Sequence, residues 1–288
     1  MNYSALIQNR KSVRAFTDKK VPLYTMATLR EFHDNNAHRL VPELKTELRI
    51  FSEEAREALE GAAGYNQFLI GAPQYLVLLS EAHPHAYLNA GFVMEDLILK
   101  LTDLGFDSCW ITFTDSDRVK EALKIQSGLE VAAIAAFGYG QKTTKRLRVN
   151  ILSMSNVDIK AQRRYFEPKK GILDLVFLNK WGNTHKLEDH IGFFDDMLWE
   201  AFRAVSLSPS YLNRQAYGFV LSGGSVSLVA APDAYTTELD GRLSQGIALL
   251  HFTAVAEQWS GKLNWNFGKD AAQLELPEGY QLIASCKL

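Results

Sequence analysis

Close to the N-terminus, the run Asn9-Arg10-Lys11-Ser12-Val13-Arg14-Ala15-Phe16 sets two guanidiniums and a hydroxyl at alternate positions. In an extended segment successive side chains point to opposite faces, so Arg10, Ser12 and Arg14 share one face. Arginine presents a rigid fork of donors that matches phosphate oxygens and stays charged, so two of them flanking a hydroxyl make a phosphate cradle. Far along the chain, Ser208-Pro209-Ser210-Tyr211-Leu212-Asn213-Arg214-Gln215 gathers hydroxyl and amide side chains around a proline. Such groups suit hydrogen bonding to a polar ring edge or a polyol chain.

The elements that must position these residues follow from periodicity. Tyr3 to Gln8 reads as a short helix delivering Arg10, and Tyr24 to Asn35 as a second. Lys45 to Phe51 alternates charged and apolar residues as a half-buried strand does. Glu53 to Ala63 is rich in helix formers and stops at Gly64. A strand over Tyr75 to Leu79 leads to a long helix from about Asn89 to Leu104, closed by Gly105. Ser108 to Phe113 and Val131 to Phe137 are apolar runs bounded by turn residues, hence interior strands. Between them Asp115 to Gln126 reads as a helix capped by Asp115 or Ser116. From Gly138 to Pro168 the chain turns basic, with Lys142, Lys145, Arg146, Arg148, Arg163 and Arg164, and reads as a surface connector. The second part opens with a helix from about Leu187 to Val205. A further helix is predicted to start at Ser208, with Pro209 at its first position.

An internal repeat underlies this order. The helix carrying Gly91 aligns without a gap to the one carrying Gly246, and Trp110 falls on Trp265; both pairs stand 155 residues apart. A short apolar strand precedes each glycine, Tyr75 to Leu79 in one case and Val226 to Ala230 in the other.

Composition narrows the function classes. The chain has 288 residues, 47% of them hydrophobic, and a formal net charge of −2, values of a globular protein with no electrostatic reason to bind nucleic acid or an anionic membrane. Cys109 and Cys286 are too few for a disulfide framework, which fits a reducing cytoplasm. No apolar run approaches the roughly 20 residues of a membrane span, and Arg10, Lys11 and Arg14 arrive too early for a signal peptide. Gly138-Tyr139-Gly140 lacks the remainder of a dinucleotide fingerprint. Ser222-Gly223-Gly224-Ser225 reads as a hairpin turn. His83, His85, His185 and His190 do not form a metal-ligating pattern, and Trp259 and Trp265 read as core residues.

With both motifs in view, the chain resembles the nitroreductase family of FMN-dependent oxidoreductases. Its members carry an Arg-Arg-Ser-x-Arg-x-Phe entry motif and a Pro-Ser-x-x-Asn-x-Gln motif. The run from Gly105 through Trp110, Ile111, Thr112 and Phe113 is similar to the family's Leu-Gly-x-x-Ser-x-Trp-Ile-Gly segment, and Lys169 to Val176 to its closing pattern. The resemblance implies an α+β fold with two nitroreductase-like halves fused in tandem, residues 1–168 and 169–288. Each half would have a central, mostly antiparallel sheet flanked by helices, and the two would pack as an intramolecular pseudodimer.

For the site, the resemblance implies FMN bound between the halves by Arg10, Lys11, Ser12, Arg14, Thr112, Phe113, Lys169, Pro209, Ser210 and Asn213. Arg10 and Ser12 fall on the phosphate, and Arg14 near the flavin N1. Asn66 and Gln67 fall near the pyrimidine edge, and the backbone of Thr112 and Phe113 near N5. Lys169 is preferred over Lys170, Lys145 or Arg146 as a further cation. Phe113 replaces a glycine and is expected to narrow the substrate face or shift the flavin. Chemistry resides on the cofactor, with NADH or NADPH as reductant and a small electron-poor acceptor, such as a nitroaromatic or a quinone, as partner. The alternative is a flavin-binding module without turnover. The second half lacks an arginine motif, so one FMN per chain and a monomer of dimer-like shape, open to further self-association, are expected.

Overall fold

In the computed structural model the described residues are 1–35, 37–66, 68–141, 146–153, 156–162, 169–184, 196–268 and 272–288, with backbone alone for 146–162. The first part comprises α1 (Tyr3–Asn9), α2 (Leu23–Asn35), β1 (Thr46–Ser52), α3 (Ala55–Leu59), β2 (Gln74–Ser80), α4 (Ala86–Asp103), β3 (Asp107–Ile111), α5 (Ser116–Ala122) and β4 (Glu130–Gly138). A hairpin follows, β5 (Arg146–Ser153) and β6 (Asn156–Gln162). The remainder comprises α6 (Ile172–Leu175), β7 (Val176–Leu178), α7 (Asp196–Ser206), β8 (Tyr217–Ser222), β9 (Ser225–Ala230), α8 (Glu238–Ser260), β10 (Asn266–Phe267) and β11 (Gln281–Lys287).

Strands β1 to β4 form an antiparallel sheet in the order β1-β2-β4-β3. Strands β8 to β11 repeat that order as β8-β9-β11-β10, and β7 adds to the outer edge of β8 in parallel. β2 and β4 are apolar almost throughout because both of their faces are covered. The β8–β9 turn is the expected two-residue hairpin, with Gly223 and Gly224 both at positive φ.

Helices α4 and α8 are buried on nearly every side, and each packs chiefly against the other. Their close approach needs the two glycines. A Cβ on Gly91 would stand 2.3 Å from the carbonyl oxygen of Leu243, and one on Gly246 would stand 2.0 Å from that of Leu88. Leu88 and Leu243 are themselves 155 residues apart. The crossing is therefore reciprocal, and the repeat seen in sequence is the helix pair at the centre of the molecule.

Four expectations change. The helix expected over Glu53 to Ala63 shrinks to α3, because the chain turns at Gly61 and Gly64, both at positive φ. The helix after Asp115 ends at Ala122, although Asp115 caps it as expected by accepting from Arg118 N. The basic connector contains the β5–β6 hairpin. No helix starts at Ser208: a single 3-10 turn spans Tyr211–Asn213. Lys142, Lys145, Arg163, Arg164, Gln67, His185, His190 and the start of the helix expected from Leu187 lie outside the described residues.

Candidate functional site

The first motif is laid down by α1 and β3. Arg10 is the C-cap of α1, after which the chain extends. Ser12 bridges Ser108 in parallel, and Val13 N donates to Ser108 O at 2.9 Å. Phe16 anchors the far end in the core while Lys11 and Arg14 face solvent. Arg10 Nη1 and Ser12 Oγ lie 3.5 Å apart, so these two members of the proposed cradle meet on one side of the strand-like run.

The second motif follows α7 as a strained loop. Leu212, Asn213 and Gln215 all adopt positive φ, between 43° and 57°, a conformation costing non-glycine residues about 1 kcal/mol or more each. Surrounding bonds hold it. Gln215 N donates to Ser210 Oγ at 2.9 Å, and Gln215 Nε2 to Ser206 O at 3.1 Å. Lys169 Nζ donates to Ser208 O at 2.7 Å. Lys170 grips Gln215 twice, through its N to Oε1 and its Nζ to the carbonyl oxygen, each at 2.8 Å. Burial holds the Lys170 ammonium below its ordinary pKa.

Thr112, at the end of β3, joins the two regions. Its Oγ1 donates to Asp240 Oδ1 at 2.8 Å, and Thr237 Oγ1 donates to Oδ2 at 2.7 Å. Ser244, one turn on, donates to Asp240 O and accepts from Tyr211 N at 3.1 Å. The Tyr65 ring meets the Tyr211 ring at 6.3 Å between centroids. Burial raises the Asp240 carboxyl despite both hydroxyl donors. Burial, then the charges of Asp240 and Tyr65, push the Tyr211 hydroxyl up to about 12. Phe113 sits in the core with Ala63 and Val119. Its ring is committed to packing there, and its backbone bridges that of Ala63.

Beneath the first motif lies a buried ionic cluster. Glu95 of α4, wholly buried, has Oε1 3.3 Å from Arg10 Nε and 3.0 Å from His251 Nε2 of α8. Its Oε2 accepts from Trp110 Nε1 at 2.7 Å, and His251 Nδ1 faces Ala204 O at 3.0 Å. Burial alone would raise the Glu95 pKa, but the charge of Arg10 and the donors on His251 and Trp110 outweigh it and hold the group below its ordinary value. Arg10 Nε is at ion-pair distance yet without hydrogen-bond alignment.

Arg10 Nε faces Glu95, while Ser208 Oγ and Tyr217 Oη are buried beside each other. The Nη groups of Arg10, the Ser12 hydroxyl and the cations of Lys11, Arg14 and Lys169 are donors of the kind an oxygen-rich anion requires. The residues present therefore fit FMN. A surface cavity of about 440 Å3 along β1 contains none of them. Reading the sequence missed Glu95, Tyr65, Asp240 and His251. Glu95 and His251 had one signal, an ionisable residue in the middle of an otherwise apolar helix.

An α+β molecule with this sheet order and a basic motif laid against β3 is a nitroreductase-like protein. Residues 2–179 match the family described as "Putative TM nitroreductase", and the chain belongs to that family. Among solved structures, one described as a putative nitroreductase from Thermotoga maritima MSB8 is similar over 100% of this chain and 94% of its own, with a TM-score of 0.58 and 19% identity. An FMN-dependent nitroreductase from Clostridium difficile R20291 matches 48% of this chain and 87% of its own, at 21% identity and TM-score 0.43. A nitroreductase family protein from Clostridium novyi NT matches 49% of this chain and 87% of its own, at 19% identity and TM-score 0.42. Comparison with curated proteins gives no match. Among the described residues no helix is long and apolar enough to cross a membrane.

Proposed function

We propose that this chain is an FMN-dependent oxidoreductase that takes hydride from NADH or NADPH and passes it to a small electron-poor acceptor. The observation that carries the reading is the bond from Thr112 to Asp240, which with Ser244 joins the end of β3 to the Tyr211 loop. It ties the neighbourhood of the first motif to the second, about 200 residues away. Membership of a nitroreductase family supports oxidoreductase chemistry.

FMN would supply hydride transfer at its N5, and this chain would bind and orient it. Arg10 and Ser12 would hold the phosphate, with Lys11 and Lys169 adding positive charge. Pro209, Ser210 and Asn213 would line the polyol chain and ring edge, Arg14 the N1 side, and the backbone of Thr112 and Phe113 the N5 side. No nucleophile or base on the chain is required. The matching sheet orders and the reciprocal glycine crossing favour a tandem pseudodimer, with the site between residues 1–168 and 169–288.

The test is spectroscopic. Purified chain incubated with FMN and freed of excess is expected to keep the twin flavin absorbance bands and to lose the longer-wavelength one on anaerobic addition of NADH or NADPH. Flavin retained but unreduced by either donor would leave a binding module without turnover. No retained flavin would reject the reading.

A further inference from the structure

Glu95 has no place in the motifs, yet it is wholly buried and engaged by three side chains. It receives Trp110 on one oxygen, and His251 and the Arg10 guanidinium on the other. A carboxylate buried this deeply is costly unless it is fully paired, so its partners point to its role. Trp110 fixes its rotamer from β3. His251 fixes it from α8, with the opposite ring nitrogen on Ala204 O, four residues before Ser208. Arg10 is the one partner that also belongs to a candidate ligand site. Its Nε edge is turned to Glu95 while Nη1 is turned to Ser12 Oγ.

We propose that Glu95 is a positioning residue that clamps the Nε edge of Arg10, so that the rest of the guanidinium fork faces a phosphate group of the ligand. The inference rests on the flavin reading above and adds to it an acid from the middle of α4. It follows that His251, on the far helix, acts on the phosphate site through Glu95. The carboxylate does not cancel the attraction of the site for an anion. The Arg10 guanidinium is at ion-pair distance from Glu95 through its Nε edge alone, which leaves its Nη donors for the anion. Without Glu95, Arg10 keeps its charge and loses its direction, and a phosphate must then order the side chain on binding.

Riboflavin is FMN without its phosphate and separates this role from a general structural one. Affinities of the full-length chain for FMN and riboflavin are measured by fluorescence quenching for wild type, Glu95→Gln, Arg10→Ala and the double variant. Glu95→Gln is expected to weaken FMN about 10-fold, 1.4 kcal/mol, and to leave riboflavin unchanged. In the Arg10→Ala background it is expected to cost FMN nothing further. Should Glu95→Gln fail to fold, Trp110→Phe loosens the same carboxylate and is expected to give a smaller loss with the same restriction to FMN. Equal losses for both flavins, additivity with Arg10→Ala, or tighter FMN binding would overturn the proposal. Wild type binding neither flavin would instead overturn the flavin reading itself.

Discussion

Arg10 and Asn213 come from the two motifs of the proposed site, and each tests the site by its own removal. Losing one hydrogen-bonding partner to a charged ligand group typically costs about 2 kcal/mol, roughly 30-fold in affinity. Arg10→Ala is expected to weaken FMN binding by about that factor, and Asn213→Ala to weaken it measurably from the other half. Titration that finds Asn213→Ala silent would remove the second motif from the site. His38 offers a prediction independent of any ligand. Its Nδ1 lies 3.0 Å from the buried Asp96, whose hydrogen bond raises the His38 pKa above 6.5 against the opposing effect of burial. The folded state therefore holds this proton more tightly than the unfolded chain. The resulting stability is full below pH 6.5 and is lost as pH rises through the folded-state value. Thermal midpoints of wild type and His38→Gln should differ most in mildly acidic buffer and converge in alkaline buffer; a gap that does not change with pH would mean that the imidazole contributes by packing alone. At this scale the motif residues were legible because alternation and residue type carry their chemistry locally. Glu95, Asp240 and Tyr65 were not, since the partners that tie them to the site, Trp110, His251, Thr112 and Tyr211, lie between 15 and 156 residues away and no spacing announces them.

Among the elements, helices and strands with strong periodicity stand within a few residues of where the pattern places them, including α1, α2, α4 and the strands β1 to β4. The exceptions share a cause. Propensity over Glu53 to Ala63 and proline at position 209 both argue for helix, but tertiary bonds set the backbone instead. Gly64 N donates to Thr112 O at 2.8 Å, and Ser244 Oγ takes the Tyr211 N–H. A lone proline read as a helix start cannot reveal a loop held by four separate segments. The α4–α8 crossing, by contrast, was foreshadowed by its two glycines, and it gives the sharpest test at this scale. A methyl group at residue 246 would have to share space with a backbone carbonyl, which no rotamer change relieves. Gly246→Ala should force the helices apart and cost about 1–3 kcal/mol, lowering the thermal midpoint on the order of 5 °C. Gly241→Ala, on the same helix, where an added Cβ would make only an ordinary contact 3.6 Å from the Thr236 methyl, is the control. If the two variants melt alike, the helices are not in the tight contact described.

Across the whole molecule, the 155-residue offset relates two regions that are built alike and furnished differently. Ser244 takes the Tyr211 amide, and its counterpart Asn89 takes the amides of Leu40 and Val41 through Oδ1 at 3.1 and 3.0 Å. The scaffold of the site is thus present twice. Its chemistry is not. Leu250 stands where Glu95 does, so no buried acid is available there to clamp an arginine, and Asn179 to Asn183 offers no alternating cations in place of Arg10 to Arg14. Where α8 carries His251, α4 carries Asp96, which accepts from Tyr3 Oη at 2.9 Å and from His38 N at 2.8 Å. A wholly buried carboxylate engaged by Tyr3 and His38 supplies no donor fork of the kind Arg10 has for a phosphate. One site of two should therefore bind, and saturated protein should carry one FMN per chain by absorbance against protein concentration. Because FMN binds the folded state alone, the thermal midpoint should climb with FMN in the manner of a single class of sites. Two FMN per chain would mean that the Asp96 region accepts a phosphate without such a fork, and the argument from asymmetry would fail while the shared scaffold stood.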